Sequence, residues 1–461
     1  MRLTFDEFKN FTPCKDTYGL FGYPLGHTMS PELHQDLFKS YGYDADYYAI
    51  EVPPEHLEEA YRLAREKLCG FNVTIPYKKD ILPLLDEIQE EARLLNSVNT
   101  VHFDHGISHG YNTDLLGFTA SLQRDEISLS GKTVLLIGYG GAASVMGLHC
   151  ASKCGTLYIT GRNPEKASRL ARDLRTKTGN SRVFSVAPDA LPEGIDVLVN
   201  GTPIGMYPKE GVCPLSAVPS NIVYAFDAIY NPPMTQLLQK SRKIKAKYRD
   251  GLYMLLMQGA KAQEIWTGHA VDAAVCDKLL LKLYGEMALK RLQSIHKKQN
   301  IVLCGYMGSG KTTIGKKLAK ALSLPFVDAD LYLEQQEGTS IPEIFDTKGE
   351  GYFRDLESRC IRQLAARSGT VIALGGGAVL RRENAAAIKK TGLLVFLNTP
   401  FDKIMKNLSY DHSRPMLKAE NREERIRTLY QERKKIYHRV SDFSVSSQSI
   451  KGNIFQILKN I

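Results

Sequence analysis

The sequence predicts an α/β protein in which helices cover parallel sheets, and three observations carry this prediction. The apolar run at residues 301–304 leads into GYMGSGKTT and then into an amphipathic helix pattern. A second apolar run, at residues 132–137, leads into GYGGAA and another helix pattern. Short strand and helix patterns also alternate through residues 1–127. A glycine-rich loop between a strand and a helix is typical of nucleotide-binding α/β folds.

Length and charge limit the kind of protein. The 461 residues suggest roughly three compact units. The net charge of +10 comes entirely from residue 298 onward, where Lys and Arg outnumber Asp and Glu by 27 to 17. These bases form no arginine-rich run, so anionic small ligands explain them better than nucleic acid does. Without a leader pattern, a long apolar run or metal-type cysteine spacing, we expect a cytoplasmic protein with reduced cysteines and no membrane partner.

Polar side chains on several loops of residues 1–127 predict a site for a small oxygenated molecule. Thr28 and Ser30 precede a helix, where Ser30 is expected as the N-cap and Pro31 as the first helical residue. Simple capping explains Ser30 but not the second hydroxyl. Lys78 follows an apolar strand, in a segment that is expected to open a helix at Pro76, and Asn99 and Asp114 lie on two further loops. A lysine that protonates a developing alkoxide, with a carboxylate to orient it, suits carbonyl reduction.

Four nearby side chains superficially resemble metal ligands: His102, Asp104, His105 and His109. Their spacing matches no zinc signature, and a hairpin turn at Gly106 separates them. We therefore expect exposed turn histidines at these positions.

Residues 128–297 carry the loop Gly138-Tyr139-Gly140-Gly141-Ala142, which follows a strand and opens a helix. This arrangement is typical of a dinucleotide-binding turn with the pyrophosphate at the helix N-terminus. The second strand is followed by Arg162 and Lys166 instead of an acidic residue that would bind the ribose 2′-hydroxyl. Their positive charge suits the extra phosphate of NADP, which favours NADP over NAD. The alternative is that both are solvated bases at a helix start.

Residues 17–290 resemble shikimate dehydrogenase, whose motifs appear in the family's order as GYPLGHTMSP, GFNVTIPYK, NSVNT, YNTD, GYGGAA, VNGTPIGM, DAIYNP and DGLYMLLMQGA. The resemblance implies Lys78 as the acid/base catalyst, assisted by Asp114. It implies substrate contacts at Thr28, Ser30, Thr74, Asn99, Asp114, Tyr230 and Gln258. It implies NADP contacts at Gly138, Tyr139, Gly140, Gly141, Ala142, Arg162 and Gly251, to which Lys166 is added on charge. The family usually has Ser at position 28, Asn-Arg-Thr at 161–163 and Thr-Pro at 235–236.

The loop at residues 305–312 predicts a site for a nucleoside triphosphate. Its glycines let backbone N–H groups face a polyphosphate, Lys311 reaches the outer phosphates, and the Thr312 hydroxyl can bind Mg²⁺. Asp328 and Asp330 end the next strand, where one can serve Mg²⁺ through water and the other a substrate hydroxyl. Arg354, with Glu357 one turn later, suits a carboxylate ligand.

Three later features fit the same site. Gly375-Gly376-Gly377 offers backbone N–H groups, residues 411–415 resemble a lid, and Arg433 and Tyr437 follow on a basic helix. The alternatives are a structural glycine turn and a solvated helix face.

Residues 300–461 resemble shikimate kinase through GYMGSGKTT, DADLYLE, SIPEIFDTKGEGYFRDLE, LGGGAV and SRPML. The resemblance implies that shikimate is held by Asp330, Arg354, Gly376 and Arg433, with Asp330 as the base. ATP contacts would be Gly308, Ser309, Gly310, Lys311, Thr312, Thr313 and Arg414, with Thr312 and Asp328 serving Mg²⁺. The family usually has Pro where Lys435 stands.

Together these resemblances predict a two-lobed α/β dehydrogenase with a substrate lobe at residues 1–127 and a Rossmann NADP lobe at 128–295, followed by a P-loop kinase domain at 298–461. The expected activity is bifunctional: NADPH reduces 3-dehydroshikimate to shikimate, and ATP with Mg²⁺ phosphorylates shikimate. Two alternatives remain open here. One is a quinate/shikimate dehydrogenase that uses NAD, fused to a kinase. The other is a non-catalytic regulator that senses pathway compounds.

Overall fold

A computed structural model describes residues 1–26, 28–409, 422–446 and 448–461. The chain forms two compact units, Met1–Leu280 and Leu281–Ile461. Within the described ranges, no helix is both long and apolar enough to cross a bilayer.

The first unit begins with a mixed seven-stranded sheet in the order β1-β3-β2-β4-β6-β7-β5. Its strands are β1 Arg2–Thr4, β2 Asp16–Gly22, β3 Ala45–Glu51, β4 Gly70–Val73, β5 Glu87–Ile88, β6 Thr100–Asp104 and β7 Ile107–Tyr111. The helices along this part are α1 Phe5–Asn10, α2 Ser30–Ser40, α3 Leu57–Lys67, α4 Glu90–Leu95 and α5 Thr113–Arg124. The pairs β1·β3, β2·β3, β2·β4 and β5·β7 are parallel, whereas β4·β6 and β6·β7 are antiparallel.

The second sheet of this unit is parallel throughout, with six strands in the order β10-β9-β8-β11-β12-β13. Its strands are β8 Thr133–Ile137, β9 Thr156–Thr160, β10 Val183–Ser185, β11 Val197–Asn200, β12 Tyr224–Asp227 and β13 Lys247–Arg249. The helices are α6 Gly141–Lys153, α7 Pro164–Thr178, α8 Gln236–Lys243, α9 Leu252–Thr267 and α10 Ala273–Ser294. The order reverses on either side of β8, which is where doubly wound sheets bind ligands.

The second unit contains a parallel five-stranded sheet in the order β15-β16-β14-β17-β18. Its strands are β14 Asn300–Cys304, β15 Phe326–Asp328, β16 Val371–Ala373, β17 Gly392–Leu397 and β18 Phe443–Val445. Its further helices are α11 Lys311–Leu322, α12 Ala329–Glu337, α13 Ile341–Ala365, α14 Arg382–Thr391, α15 Phe401–Leu408, α16 Arg422–Val440 and α17 Ile450–Asn460. The predicted α/β class with parallel sheets is confirmed.

The division between the units falls inside α10, before the predicted boundary at residues 295–298. Tyr284 packs edge-on against Phe455, and the Arg291 side chain donates to the Ile461 carbonyl at 3.2 Å. The last turns of α10 therefore pack with the helices of the second unit, a contact between distant residues that sequence patterns do not reveal.

Two local predictions were wrong. The segment after Pro76 was expected to open a helix, but it forms turns and only a short 3₁₀ helix, Leu82–Leu84. Pro83 lies in this segment, and it has no backbone N–H to continue a helix.

His102 and His109 are not exposed turn residues, because they pair across β6 and β7 and are partly buried. Only His105 lies on the exposed turn, and the described residues contain no metal-binding group of three His, Cys, Asp or Glu side chains.

His34 on α2 is fully buried, and its ring stacks on Tyr47 with the centroids 4.2 Å apart. Burial lowers the pKa of His34 to about 3. The only tryptophan of the chain, Trp266, lies beside it with ring centroids 5.3 Å apart. The fluorescence of Trp266 can therefore report unfolding around His34.

We expect the His34→Gln variant to lose part of the acid sensitivity of the first unit. Below a pH of about 6.5 the unfolded histidine takes up a proton that the folded one refuses, so the free energy of unfolding falls by about 1.4 kcal/mol per pH unit from this group. Asp227 opposes this slope, because burial raises its pKa to about 6 and the folded state then holds the extra proton. For this reason the measurement is a comparison of variants.

The free energy of unfolding is measured by urea unfolding, followed by Trp266 fluorescence, at several pH values between 7 and 4.5. Plotted against pH, it should have a shallower slope for His34→Gln than for the unchanged protein. His105→Gln is the matched control, because the His105 side chain is 94% exposed. Parallel slopes for His34→Gln and the unchanged protein would contradict the assignment.

Candidate functional sites

In the first unit, an ion pair joins Lys78 and Asp114. Lys78 lies in the turns after β4, and Asp114 lies in the first turn of α5, a favourable place for an anionic side chain. Lys78 Nζ donates to Asp114 Oδ2 at 2.6 Å, and the two side chains remain 29% and 23% exposed. The pair is thus oriented by a short contact and is still accessible to a small molecule.

Asn99 holds the N-terminus of α5 from a different loop. Its Oδ1 accepts the Thr113 N–H at 2.7 Å and the Thr100 hydroxyl at 3.0 Å. The residue before the helix, Asn112, makes no side-chain capping bond. Asn99 therefore helps to place Asp114, and because its oxygen is engaged, its Nδ2 is the atom left for a ligand.

Asn72 on β4 supports this arrangement and was not singled out from the sequence. Its Nδ2 donates to the Asn99 carbonyl at 3.1 Å and to the Thr100 hydroxyl at 3.0 Å, and its Oδ1 accepts from the Tyr47 hydroxyl at 2.7 Å. A buried amide needs such partners. The available signal was an asparagine inside an otherwise apolar strand, GFNV.

Thr28, and not Ser30, supplies the hydroxyl that accepts from the start of α2. The helix begins at Ser30 after Met29, and no side chain of the N-cap residue forms a capping bond. The Ser30 N–H donates to Thr28 Oγ1 at 3.2 Å, and the two hydroxyl oxygens are also 3.2 Å apart. The expected capping role of Ser30 is therefore wrong, and the two hydroxyls lie side by side at the start of α2. His27 lies outside the described residues.

The other predicted substrate residues of this unit lie on three elements. Thr74 follows β4 and is partly buried. Tyr230 lies in the loop after β12, and burial raises its pKa. Gln258 lies on α9 where this helix touches α5, since a Cβ on Gly117 would be 3.1 Å from the Gln258 backbone nitrogen. Gln258 therefore lies beside the helix that carries Asp114.

The loop after β8 leaves open space at the N-terminus of α6. Gly138 has φ +113° and donates its N–H to the Thr160 carbonyl at 2.8 Å. A Cβ on Gly140 or Gly141 would meet no atom within 4 Å. A pyrophosphate fits this position, because the first backbone N–H groups of a helix have no partner within the helix.

Arg162 lies in the loop after β9, Lys166 lies in the first turn of α7, and both are exposed. In the part of the chain that the structure describes, neither side chain makes an ion pair or a hydrogen bond. Asn163 between them caps α7 by accepting the Lys166 N–H at 2.9 Å. Both cations are thus available for an anionic ligand.

A cavity of about 380 Å³ opens at the carboxyl ends of β8, β11 and β12. Its lining residues are Ala142, Gly201, Thr202, Pro203, Met206, Tyr207, Ala228, Ile229, Tyr230 and Asn231. The cavity brings predicted cofactor residue Ala142 and predicted substrate residue Tyr230 to one space. Gly251 packs directly on the Ala228 carbonyl, too closely for any Cβ, which explains a glycine beneath this cavity.

Asp227 fixes two loops of the cavity and was missed from the sequence. Its carboxylate accepts from Asn200 Nδ2 at 2.9 Å, from the Ile229 N–H at 3.1 Å and from the Thr235 hydroxyl at 2.7 Å. Asn200 in turn accepts from the Thr202 N–H at 3.0 Å. The only signal was an acidic residue at the end of an apolar strand, which does not reveal its partners.

In the second unit, the loop after β14 folds around the Lys311 side chain. Gly305, Gly308 and Gly310 have φ values of +150°, +72° and +89°, which glycine adopts readily. Lys311 Nζ donates to the Gly305 and Tyr306 carbonyls at 2.9 and 3.0 Å. The Lys311 ammonium is therefore held at the inside of the loop.

Two hydroxyls of this loop fit a phosphate and a metal ion. Ser309 Oγ is buried without a hydrogen-bond partner among the described residues, as a ligand-binding group would be before its ligand arrives. The Thr312 hydroxyl donates to Asp328 Oδ2 at 2.7 Å. Hydroxyl and carboxylate oxygens are the ligands that Mg²⁺ prefers. Thr313, also predicted to contact ATP, is exposed in the first turn of α11.

Asp330, Arg354 and the glycine triplet form one cluster. A Cβ on Gly375 would collide with Asp330 Oδ1, and a Cβ on Gly377 would lie 2.5 Å from Arg354 Nη1. Arg354 donates to Glu357 at 2.9 Å, and burial raises the pKa of Glu357. The structure thus brings together residues separated in sequence by loops and helices.

Glu350 also contacts Arg354, which the sequence did not suggest. Its Oε1 accepts from Arg354 Nε at 3.3 Å and from Nη2 at 3.2 Å. Gly349, with φ +76° and ψ 170°, interrupts α13 just before it. The Nε–Nη2 edge of the Arg354 guanidinium therefore already donates to a carboxylate.

Arg433 and Tyr437 connect α16 to the loop and the triplet. The Arg433 guanidinium lies 5.9 Å from the Tyr306 ring centroid, and the Tyr437 hydroxyl donates to the Gly376 carbonyl at 2.5 Å. Arg433 is thus no mere solvated helix residue. Arg414 and the predicted lid at residues 411–415 lie outside the described residues.

Family models match two parts of the chain. One, described as shikimate kinase, matches residues 307–460, and another, described as the shikimate dehydrogenase substrate binding domain, matches residues 20–101. The NADP(+) shikimate dehydrogenase of Carboxydothermus hydrogenoformans is 38% identical over 267 residues, which are 57% of this chain and 95% of that protein. That of Methanopyrus kandleri is 37% identical over 273 residues, covering 57% and 94%.

Solved structures agree with these relatives. A shikimate dehydrogenase in complex with NADP+ is 36% identical, with a TM-score of 0.54, covering 58% of this chain and 95% of its own. The shikimate 5-dehydrogenase of Listeria monocytogenes in complex with shikimate and NAD is 28% identical, with a TM-score of 0.55, covering 58% and 97%. The first unit is thus similar to these proteins over nearly their full length.

Proposed function

Because the chain belongs to the shikimate dehydrogenase family and also carries a shikimate kinase domain, it is a bifunctional enzyme of the shikimate pathway, and we propose here how its residues divide the two reactions. Residues 1–127 and 128–295 serve the reductase as substrate and cofactor lobes. Residues 298–461 serve the kinase. The intermediate, shikimate, is the product of the first reaction and the substrate of the second.

In the reductase, Lys78 acts as the general acid. The NADPH bound at the loop after β8 would supply a hydride to the carbonyl carbon of 3-dehydroshikimate. Lys78 gives its proton to the carbonyl oxygen as the C–O⁻ charge develops, and it is reprotonated from solvent. The observation that carries this role is the 2.6 Å contact between Lys78 and Asp114, which orients an ammonium group in an accessible site.

The remaining polar groups of this lobe bind the substrate. Thr28 and Ser30 offer adjacent hydroxyls at the start of α2 for its carboxylate. Asn99 offers Nδ2, and Thr74, Tyr230 and Gln258 supply further contacts to the ring hydroxyls. Each hydroxyl that is bound by an oriented donor or acceptor fixes the reacting carbonyl relative to Lys78.

On the cofactor side, we expect Arg162→Ala to weaken NADPH much more than NADH. The Arg162 guanidinium is exposed and makes no ion pair in the described part of the chain, so it can bind the 2′-phosphate that only NADPH carries. KM for each cofactor in the reductase assay measures the effect. Arg169→Ala on the helix that follows, α7, is the control, because Arg169 is also exposed. Equal losses for NADPH and NADH would show that Arg162 supports the fold instead.

In the kinase, the loop residues Gly308, Ser309, Gly310, Lys311, Thr312 and Thr313 hold the phosphates of ATP. Mg²⁺ would neutralise phosphate charge, held by Thr312 and, through water, by Asp328. Arg354 binds the shikimate carboxylate, assisted by Arg433 and the Gly376 backbone. The oxygen of the shikimate 3-hydroxyl attacks the γ-phosphorus and ADP leaves, while Asp330 accepts the proton of that hydroxyl.

The metal requirement separates the two activities. We expect a chelator in excess over Mg²⁺ to abolish ADP formation from shikimate and ATP and to leave NADPH oxidation by 3-dehydroshikimate unchanged, because the Thr312–Asp328 pair beside the phosphate loop suits Mg²⁺ with ATP, whereas hydride transfer from NADPH needs no metal ion. Added Mg²⁺ should restore ADP formation. Loss of both activities would contradict this division.

A further inference from the structure

Tyr139 places an aromatic ring against the backbone of Gly161. A Cβ on Gly161 would lie 2.6 Å from Tyr139 Cε1 and 2.9 Å from Cδ1, closer than real Cβ atoms approach a neighbour. The two residues are distant in sequence, yet one fills the space that the other leaves. Any side chain at residue 161 would push the ring away.

The ring lies between two parts of the cofactor site. Tyr139 follows Gly138, which is hydrogen-bonded to the end of β9, and precedes the open helix N-terminus at Gly140 and Gly141. Gly161 directly precedes Arg162. The ring is partly buried, so one side packs on the protein and the other remains accessible.

In a dinucleotide fold the pyrophosphate lies at the first helix N-terminus and the 2′-substituent lies at the end of the second strand. The adenosine of the cofactor joins these two positions. We propose that the Tyr139 side chain is a contact surface for this adenosine, and that residue 161 is glycine so that the ring can occupy its place. The inference rests on NADP(H) as the cofactor of the reductase.

This role differs from that of Arg162. An aromatic face contacts ribose and adenine whether or not a 2′-phosphate is present, so Tyr139 raises the affinity for NADPH and NADH alike. The charges of Arg162 and Lys166 distinguish the two cofactors. If the ring merely filled a gap in the fold, its loss would lower stability without selectively weakening adenosine ligands.

The test measures binding without turnover. Displacement of NADPH from the full chain by adenosine 2′,5′-bisphosphate, and separately by adenosine 5′-monophosphate, followed by NADPH fluorescence, isolates the adenosine end of the cofactor from nucleotide binding at the ATP site. Base–aromatic stacking predicts that Tyr139→Ala weakens both ligands by roughly tenfold. Tyr139→Phe keeps the ring and should bind both within about twofold of the unchanged protein. Unchanged binding in Tyr139→Ala would overturn the proposal.

A double-mutant cycle tests the contact with Gly161. Gly161→Ala should weaken both ligands because its Cβ displaces the ring. In the variant that combines Tyr139→Ala with Gly161→Ala there is no ring to displace, so the second change should cost little more. Additive losses would overturn the proposal, and melting temperatures identify variants that fail to fold. If the nucleotides bind but NADPH is not oxidised by 3-dehydroshikimate, the proposed function fails while this inference stands.

Discussion

Lys78→Ala should lower reductase turnover by roughly 10²–10⁴, the range for loss of a general acid–base group. Without the ammonium, the oxygen of the reduced carbonyl must take its proton from water, which is neither positioned nor held by Asp114. The loss should appear mainly in kcat, because the other hydroxyl-binding residues remain. NADPH oxidation with saturating 3-dehydroshikimate measures it.

Lys79→Ala is the matched control, since the neighbouring Lys79 is exposed. The kinase reaction of the Lys78→Ala protein should stay within a few-fold of normal and serves as a check on folding. Reductase turnover within a few-fold of normal would remove Lys78 from the mechanism.

Lys311→Ala should lower kinase turnover by roughly 10²–10³, as expected when a positioned donor to developing charge is removed. In the structure the ammonium is held by the Gly305 and Tyr306 carbonyls, so it is already inside the loop where the phosphates of ATP are expected. ADP formation from shikimate and ATP measures the effect.

Lys316→Ala on the same helix is the control, because Lys316 is exposed. Reductase activity of Lys311→Ala should be unchanged. A melting temperature close to that of the unchanged protein separates lost chemistry from lost loop structure. A kinase that keeps most of its turnover without Lys311 would contradict the phosphate-loop assignment.

The parts of the fold that depend on local backbone chemistry were predictable from sequence. The glycine loops after β8 and β14 need only their own glycines and the strand and helix on either side. The same holds for the turn at His105 and Gly106, where both residues have positive φ in the hairpin between β6 and β7.

The predictions that failed depend on contacts between distant residues or on a local competitor. Ser30 is a residue type that often caps helices, yet Thr28 accepts the hydrogen bond, because the helix begins at Ser30, one residue earlier than expected. The capping of α5 by Asn99 joins residues on separate loops, which no spacing rule contains.

The candidate sites show the same limit. The sequence placed Lys78, Asp114 and Asp330 at element ends, where α/β proteins bind ligands, and Arg354 on a helix. It did not reveal that Asp227 fixes the walls of the cavity at the carboxyl ends of β8, β11 and β12, or that Glu350 contacts Arg354. These partners are set by how loops meet in space. Sequence alone also does not separate Lys78 from its neighbour Lys79, which is exposed.

A coupled assay tests the central claim that one chain catalyses two consecutive reactions. The purified protein receives 3-dehydroshikimate, NADPH, ATP and Mg²⁺, with no added shikimate, and NADPH loss and ADP formation are followed together. We expect ADP to form only when NADPH is present, and its total to approach the amount of NADPH oxidised. NADPH oxidation without ADP formation, or ADP formation that does not depend on NADPH, would contradict the account.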